Sequence, residues 1–438
     1  MNFSIKSVLF EVMAKFIIQG RKSLKGEIAV SGSKNAALKI FPIALLTREP
    51  IRVSNVPEIE DVFRAQEMLV SLGGEVKKVK DGVFEIKFKS QKCLDLPANL
   101  VNKFRASIMF VGPMLATCGE VNFPHPGGCV IGAGARPIDL FLDGFQKMGA
   151  RIEILRHGSG QDYYHLTAKK LKGANIFFSK ISVTATESLM TTACFAKGET
   201  ILKNCAMEPE IVSLAEYLNS CGAKIEGAGT SNIKIKGIKR LRGGEYKIIP
   251  DRIEAGTFAM LAAASNSGEV LIKNCRPGHL EALWTLFDKI GVNYVLSKNS
   301  IRIKPSKKLS ACDVTTHEYP GFATDLQSPY TVLMTQAYGS SLIHETIYDR
   351  RLLFTDMLTQ MGANIIMADP HRVVVSGPTK LYGRQLASPD LRAGVALIMA
   401  ALIAFGRTEI DNIYQIDRGY ERLDERLRNL GADIKRVN

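Results

Sequence analysis

One pattern recurs six times along the 438-residue chain and limits the folds open to it. Each copy has apolar residues at helical spacing, then a glycine, then residues that alternate between apolar and polar. The six glycines are Gly73, Gly149, Gly222, Gly291, Gly362 and Gly431. A glycine after an amphipathic segment is typical of a left-handed helix C-cap, and the alternation beyond it predicts a strand with one buried face.

A second element alternates with the first and has a different hydrophobic pattern. Segments such as TESLMTTACFAKGETILKN and AGVALIMAALIAFGRTEIDN contain an apolar helix rich in small residues, then a glycine turn, then a short strand. SKNAALKIFPIALLTREPIRVSN is the first copy of this element. Because these helices are apolar nearly all round, we expect them to be buried.

The two elements together give a repeat of about 70 residues. We therefore predict an α/β fold, a two-domain inside-out α/β barrel of six repeats with helices inside and sheets outside. Domain one is predicted to span 34–249 and domain two 15–33 plus 250–438, with three repeats each. The strands of KFIIQGRKSLKGEIAVSG are predicted to pair with the last repeat, and 1–14 to be an N-terminal extension.

Composition narrows the class of protein. Hydrophobic residues make up 46% of the chain and charged residues 23%, as in ordinary soluble proteins. No apolar run approaches the roughly 18–20 residues that span a bilayer, so we expect no membrane insertion. Eight scattered cysteines without a C-x-x-C pair suit reduced thiols and a cytoplasmic location. The seven histidines are equally dispersed, so no metal site and no cofactor are predicted.

The net charge of +14 leaves two interpretations open. The excess of basic residues either forms a solvated surface or attracts an anionic partner, which would be nucleic acid or a phosphorylated small molecule. The chain has no RNA-binding aromatic signature and no zinc-finger spacing. Nucleic acid is therefore the less favoured partner.

The stretch HPGGCVIGAGARPIDL, residues 125–140, does not follow a packing pattern. A buried cysteine usually acts as a small hydrophobic residue, which we expect of Cys194, Cys205 and Cys221. Cys129 differs because the glycines around it leave it exposed, and Arg136 nearby would favour the thiolate. We therefore predict that Cys129 is a reactive thiol on a loop that moves.

Eight short motifs, in order along the chain, resemble those of the enolpyruvyl transferase (EPSP synthase) family, and within it the bacterial enzymes that act on UDP-N-acetylglucosamine. The resemblance runs from about Lys15 to the C-terminus. The motifs are SGSKNAAL (31–38), KFRAS (103–107), PGGC with GARPIDL (126–140), EPEIV (208–212), PDRIEAGTF (250–258), TDLQ (324–327), DLRA (390–393) and IDRGYER (416–422). Each motif alone is weak evidence, but eight motifs in order across a sixfold repeat are specific for the family.

The resemblance implies a reaction and its substrates. The enolpyruvyl group of phosphoenolpyruvate is transferred to the 3'-hydroxyl of UDP-N-acetylglucosamine with release of phosphate, the first committed step of peptidoglycan synthesis. It also implies two domains that close over these small molecules. Cys129 would lie on a lid loop, protonate C3 or assist product release, and be alkylated by the antibiotic fosfomycin.

The resemblance assigns catalysis to Lys34, Cys129, Asp325 and Arg418. Lys34, Arg136 and Arg418 would bind the phosphate and carboxylate, with Arg105 and Arg392 in support, because guanidinium forks and a desolvated ammonium suit these anions. Asn35 would hydrogen-bond the substrate. For the nucleotide sugar, the resemblance implies Arg105, Arg136, Pro137, Ile138, Asp139, Leu140, Lys180, Ser182, Val183, Thr184, Asp325 and Ile347.

Two of these residues also have ordinary structural interpretations. Asp325 stands just before a predicted buried helix, so it would either cap that helix or accept a proton from the sugar hydroxyl. Strong capping would lower its basicity, so the two roles conflict. Ser182 would either bind phosphate or cap the helix that begins after KISVTAT.

The chain departs from the family pattern at three points, and two other functions remain as alternatives. CVIGAGARP is two residues longer than the usual CxIGxRP, and Phe141 and Gln415 stand where histidine is common. The first alternative is transfer to another acceptor, such as shikimate 3-phosphate. The second is a non-catalytic binding protein that retains the fold.

Overall fold

The six glycines that end the amphipathic segments all have left-handed backbone, with φ between 83° and 105°. This is seen in a computed structural model that describes residues 14–88, 95–127, 137–156 and 162–437. A strand begins within three residues after each glycine, as the strands Gly74–Lys80 and Asp433–Val437 illustrate. The predicted helix–glycine–strand pattern is therefore confirmed at all six positions.

The described residues form two units, each with its own hydrophobic core. The first unit is Ser31–Asp251 with Glu318–Gly321. The second consists of the described residues up to Val30, with Arg252–His317 and those from Phe322 onward.

The first unit contains seven α-helices and three sheets among its described residues. The helices are Lys34–Ile43, Glu60–Ser71, Ala98–Val101, Val111–Cys118, Asp139–Lys147, Val183–Ala193 and Pro209–Ser220, with 3-10 turns at Ala44–Leu46 and Arg105–Phe110. The sheets, in strand order, are Gly244–Lys247, Ile51–Ser54, Val83–Phe88 and Gly74–Lys80; Ile225–Glu226, Asn232–Lys236, Glu199–Lys203 and Asn175–Phe177; and Glu120–Pro124, Asp162–Thr167 and Arg151–Arg156.

The second unit likewise contains seven α-helices and three sheets among its described residues. The helices are Arg252–Ser265, Glu281–Ile290, Gln327–Met334, Thr355–Gln360, Leu391–Ile403, Tyr414–Asp417 and Leu423–Asn429, with 3-10 turns at Pro277–Leu280, Thr324–Leu326 and Arg351–Phe354. The sheets, in strand order, are Gln385–Ala387, Arg407–Asp411, Lys15–Gln19 and Asp433–Val437; Asn293–Ser297, Ser300–Lys304, Val270–Lys273 and Gly26–Ala29; and Val314–Thr315, Gly339–His344, Arg372–Gly377 and Asn364–Asp369.

The helices predicted to be buried are buried. Every residue of Gln327–Met334 and of Leu391–Ile403 is buried, whereas Glu281–Ile290 buries only one face. None of the helices in the described ranges is both long and apolar enough to cross a bilayer.

The N-terminal strands pair as predicted in one case only. Lys15–Gln19 lies antiparallel between Arg407–Asp411 and Asp433–Val437, in the last repeat. Gly26–Ala29 instead pairs in parallel with Val270–Lys273 of an earlier repeat. The prediction that both strands pair with the last repeat is wrong for the second strand, because six residues separate the two and let it join another sheet.

The cysteines depart from the expectation of a fully reduced chain. Cys118 is disulfide-bonded, whereas Cys194, Cys205, Cys221, Cys275 and Cys312 are free thiols. Burial raises the pKa of Cys194 and of Cys205 to about 12, which fits their predicted role as small hydrophobic residues. The cytoplasmic location stays a prediction.

A buried ion pair joins two helices in the core of the first unit. Lys39 of Lys34–Ile43 contacts the carboxylate of Glu187 in Val183–Ala193, and Glu187 is completely buried. Burial raises the pKa of Glu187 to about 7; Lys39 opposes this rise, and Glu210 and Glu208 add to it. Because the folded-state pKa exceeds the usual value, the proton on Glu187 stabilises the fold, and this contribution is lost as the pH rises from about 4.5 to about 7.

We expect Lys39→Met to lower the Tm more at pH 8 than at pH 5.5. At pH 8 the variant leaves an uncompensated buried carboxylate, which costs about 3–5 kcal/mol. At pH 5.5 Glu187 is protonated and much of that cost disappears. Thermal denaturation of Lys39→Met and of the Lys39→Met/Glu187→Gln double variant at both pH values checks this. Equal losses at the two pH values in the single variant would contradict it.

Candidate active site

Lys34 begins a helix whose first turn is held from several sides within the first unit. The Ser33 hydroxyl accepts a hydrogen bond from the Ala36 N–H at 3.4 Å, and Asp251 Oδ2 accepts one from the Lys34 N–H at 3.1 Å. These bonds satisfy N–H groups that a helix start leaves unpaired. Asp251, one of the residues in the family motifs, thus has a structural role in fixing Lys34. Asn35 follows Lys34 and is partly exposed.

The Lys34 ammonium forms an ion pair with Asp61. Nζ of Lys34 lies 2.9 Å from Oδ2 of Asp61, and the two side chains are only 12% and 7% exposed. Such a nearly buried pair fixes the lysine in place, because low exposure strengthens the attraction between the two charges. The sequence analysis did not identify Asp61, although an acidic residue in the first turn of the helix Glu60–Ser71 is visible in the sequence.

Arg105 lies beside the predicted nucleotide-sugar segment. Its Nη2 donates to the Pro137 carbonyl at 2.7 Å, which ties the arginine to the residues that open the helix Asp139–Lys147. Ile138 is buried, whereas Asp139 is exposed and Leu140 partly so. Burial lowers the pKa of His125, and the charge of Arg105 lowers it further. Phe141, where histidine is common in the family, is 3% exposed and belongs to the hydrophobic core.

The predicted catalytic residue Cys129 and the predicted anion ligand Arg136 lie outside the described residues. Their predicted roles therefore stay predictions from the sequence.

Ser182 caps the helix Val183–Ala193. Its hydroxyl accepts from the Ala185 N–H at 3.3 Å, which is the structural alternative considered for this residue. Lys180 is exposed, and Val183 and Thr184 are partly exposed in the first turn. Phosphate binding by this segment stays a prediction.

Asp325 lies in the 3-10 turn Thr324–Leu326 of the second unit and is held by two arginines. Its Oδ1 accepts from Arg351 Nη2 at 2.9 Å, and its Oδ2 accepts from Arg392 Nη2 at 2.8 Å. The Asp325 side chain is 27% exposed, while those of Arg351 and Arg392 are 3% and 8% exposed.

The contacts of Asp325 test the capping interpretation of this residue. Its side chain caps neither the 3-10 turn nor the helix Gln327–Met334 that follows, so the capping interpretation is wrong. Burial alone would raise the pKa of Asp325, but Arg392 and Arg351 outweigh it and hold that pKa well below its usual range. Asp325 is therefore ionised, and both guanidinium groups reduce its basicity.

Arg392 and Arg418 are both buried side chains of the second unit, 7% and 5% exposed. Asp390 caps the helix Leu391–Ile403 by accepting from the Arg392 N–H at 2.8 Å and the Ala393 N–H at 3.0 Å. Arg418 Nη1 donates to Gln415 Oε1 at 3.1 Å. Gln415, where the family commonly has histidine, thus contacts the arginine through a neutral acceptor.

The loop that carries Ile347 is fixed by a buried carboxylate. The Ile347 N–H donates to Glu345 Oε1 at 2.8 Å. Glu345 and Arg351 were both missed by the sequence analysis, because nothing in IHETIYDRR distinguishes them from surface charges. Within the described ranges, no three His, Cys, Asp or Glu side chains are grouped so that they could hold a metal ion.

Comparison with known proteins places the chain in a family of transferases. The sequence profile described as EPSP synthase (3-phosphoshikimate 1-carboxyvinyltransferase) matches residues 18–427, and the chain belongs to this family.

Relatives that are similar over nearly their full length are named for one particular transferase. The protein from Koribacter versatilis named UDP-N-acetylglucosamine 1-carboxyvinyltransferase is 44% identical, over 97% of both chains. A protein of the same name from Halothermothrix orenii is also 44% identical, over 97% of this chain and 100% of its own.

Solved structures share the fold. The enolpyruvyl transferase NikO from Streptomyces tendae has a TM-score of 0.86 at 24% identity, covering 97% of this chain and 99% of its own. EPSP synthase from Acinetobacter baumannii has a TM-score of 0.73 at 18% identity, covering 97% and 100%. The fold is therefore the mixed α/β fold of the enolpyruvyl transferases.

Proposed function

We propose that this protein transfers the enolpyruvyl group of phosphoenolpyruvate to the 3'-hydroxyl of UDP-N-acetylglucosamine and releases phosphate, a step of peptidoglycan synthesis. The observation that carries this proposal is the 44% identity over 97% of both chains to a relative named for that reaction. EPSP synthase, named for a different acceptor, shares only 18% identity with this chain. Transfer to shikimate 3-phosphate is therefore not favoured.

The reaction forms one bond and breaks another in two stages. The sugar oxygen bonds to C2 of phosphoenolpyruvate while its proton leaves and another proton adds to C3. Loss of a proton from C3 and of phosphate from C2 then restores the double bond. The protein must therefore hold a phosphate and a carboxylate, and must move protons at oxygen and at carbon.

The described residues supply chemistry for these tasks. We assign proton acceptance from the sugar hydroxyl to Asp325, which is ionised and partly exposed. We assign anion binding to Lys34, Arg392 and Arg418, because each carries its charge at a nearly buried position. An anion that shares Arg392 would offset part of its charge and raise the basicity of Asp325.

The remaining assignments rest on the family resemblance. Cys129 is proposed to transfer a proton at C3 or to assist product release, and Arg136 to bind the anion. Asn35 is proposed to hydrogen-bond the substrate. For UDP-N-acetylglucosamine we propose Arg105, Arg136, Pro137, Ile138, Asp139, Leu140, Lys180, Ser182, Val183, Thr184, Asp325 and Ile347.

We also propose that each unit is a domain of three repeats, with buried helices inside and sheets outside, as in an inside-out barrel. The three sheets in each unit and the complete burial of helices such as Leu391–Ile403 support this arrangement.

A phosphate-release assay tests the proposed function. We expect phosphoenolpyruvate to release phosphate with UDP-N-acetylglucosamine, and at least about 100-fold more slowly with shikimate 3-phosphate, because a site built to hydrogen-bond one acceptor strongly rejects another. Faster release with shikimate 3-phosphate would overturn the acceptor assignment. Absence of release with either acceptor, together with salt-sensitive binding of nucleic acid, would favour the non-catalytic alternative.

A further inference from the structure

Glu345 is a completely buried carboxylate that follows the strand Gly339–His344. Its Oε1 accepts from the N–H groups of Ile347 at 2.8 Å and Tyr348 at 3.0 Å. Its Oε2 accepts from the Thr324 hydroxyl at 2.8 Å. The single carboxylate therefore binds two segments, the loop that carries Ile347 and the turn that carries Asp325.

Thr324 connects Glu345 to the arginine that holds Asp325. The Thr324 hydroxyl accepts from Arg351 Nη1 at 2.7 Å while it donates to Glu345, and Arg351 Nη2 donates to Asp325 at 2.9 Å. The Arg351 guanidinium is thus hydrogen-bonded to Asp325 directly and linked to Glu345 through the Thr324 hydroxyl. A hydroxyl is suited to this position because it donates and accepts at once.

Two arginines and two carboxylates make up this network. Arg351 and Arg392 each donate to Asp325, so Asp325 alone would face two positive charges. Glu345 supplies a second negative charge, which is linked to Arg351 through the Thr324 hydroxyl. Glu345 thus shares the attraction of Arg351 with Asp325, and the low exposure of Arg351 limits screening of this interaction by water.

We propose that Glu345 is a positioning residue: through Thr324 and Arg351 it orients Asp325 and preserves its ability to accept a proton. This inference rests on the proposed function, in which Asp325 receives the proton of the sugar hydroxyl. Glu345 itself does not touch the reacting atoms. A glutamine at this position could still accept from the Ile347 N–H, so we expect loss of the Glu345 charge to affect turnover more than substrate binding.

Three variants test the connection by steady-state kinetics. Glu345→Gln keeps the shape and removes the charge, and Thr324→Val removes the bridging hydroxyl. We expect each to lower kcat by about tenfold to 100-fold, with KM for both substrates changed by no more than about threefold. Thr324→Ser restores the hydroxyl and should keep kcat within about threefold of the unmodified enzyme.

Thr316→Val is the matched control, because it removes a different hydrogen bond to the loop that carries Ile347. Thr316 is completely buried, and its hydroxyl accepts from the Thr346 N–H at 2.9 Å, next to Glu345 but outside the path to Asp325. We expect it to lower the Tm and to leave kcat unchanged. If Thr316→Val lowers kcat as much as Glu345→Gln, or if Glu345→Gln raises KM with kcat intact, the proposal is wrong.

A double-mutant cycle on thermal stability gives a readout that does not depend on turnover. We expect the Tm loss of Glu345→Gln/Asp325→Asn to exceed the sum of the two single losses, because Arg351 then lacks both carboxylates. Additive losses would overturn the proposal. If the unmodified enzyme shows no turnover but the losses are non-additive, the proposed function fails while the link between Glu345 and Asp325 stands.

Discussion

Asp325→Asn lowers kcat for phosphate release with UDP-N-acetylglucosamine by about 10²–10⁴-fold, the usual contribution of general acid–base catalysis. Asparagine keeps the size of the side chain and can still accept from Arg351 or Arg392, but it cannot accept a proton from a sugar hydroxyl. The measurement is steady-state phosphate release at saturating concentrations of both substrates. It requires a Tm measurement in parallel, because the variant leaves two buried arginines facing a neutral group.

Asp313→Asn is the control for this prediction. Asp313 is an exposed carboxylate of the same unit that accepts from the Leu342 N–H at 2.7 Å. We expect its kcat to stay within about twofold of the unmodified enzyme, as is usual for surface substitutions away from a site. An Asp325→Asn variant that retained more than about one tenth of kcat would show that another group accepts the proton.

We expect Lys34→Met to lower kcat/KM for phosphoenolpyruvate by about 10²–10³-fold, because it removes the desolvated positive charge that we propose binds the transferring phosphate. The same change removes the ammonium partner of Asp61, whose side chain is only 7% exposed. Breaking a buried pair costs about 3–5 kcal/mol, so the Tm falls as well. Phosphate release and thermal denaturation measured on the same preparation record both effects.

The double variant Lys34→Met/Asp61→Asn separates the two effects. Asp61→Asn removes the negative charge that has lost its Lys34 partner, so we expect most of the lost Tm to return. The loss in kcat/KM should remain, because the cation is still absent. Recovery of activity together with stability would show that Lys34 acts only as a structural partner of Asp61.

The sequence predicted the elements of the fold well because their signals are local. An apolar stripe ending at Gly291 or Gly362 specifies a helix and its left-handed cap within about a dozen residues. The continuous apolar character of Leu391–Ile403 specifies burial in the same way. Strand pairing was harder: Lys15–Gln19 pairs as predicted, but Gly26–Ala29 joins a different sheet, since a hydrophobic pattern does not name its partner.

The candidate site was predictable only where a family motif marked a residue. Lys34, Asp325, Arg392 and Arg418 were named from motifs, and the structure gives all four buried or partly buried positions. Asp61, Glu345 and Arg351 lie in no motif used here, and their importance comes from what they touch.

The sequence by itself determined the repeating helix–glycine–strand pattern, the buried helices and the family, because periodicity, capping and motifs are properties of neighbouring residues. Only the tertiary structure decided the partners and the ionisation of the charged side chains. Asp325 meets Arg351 and Arg392 across 26 and 67 residues of chain, and this contact makes it a clamped carboxylate rather than a helix cap. The physical reason is that the energy of a charge depends on its burial and its nearest partners, and folding sets both by bringing together segments that are distant in the chain.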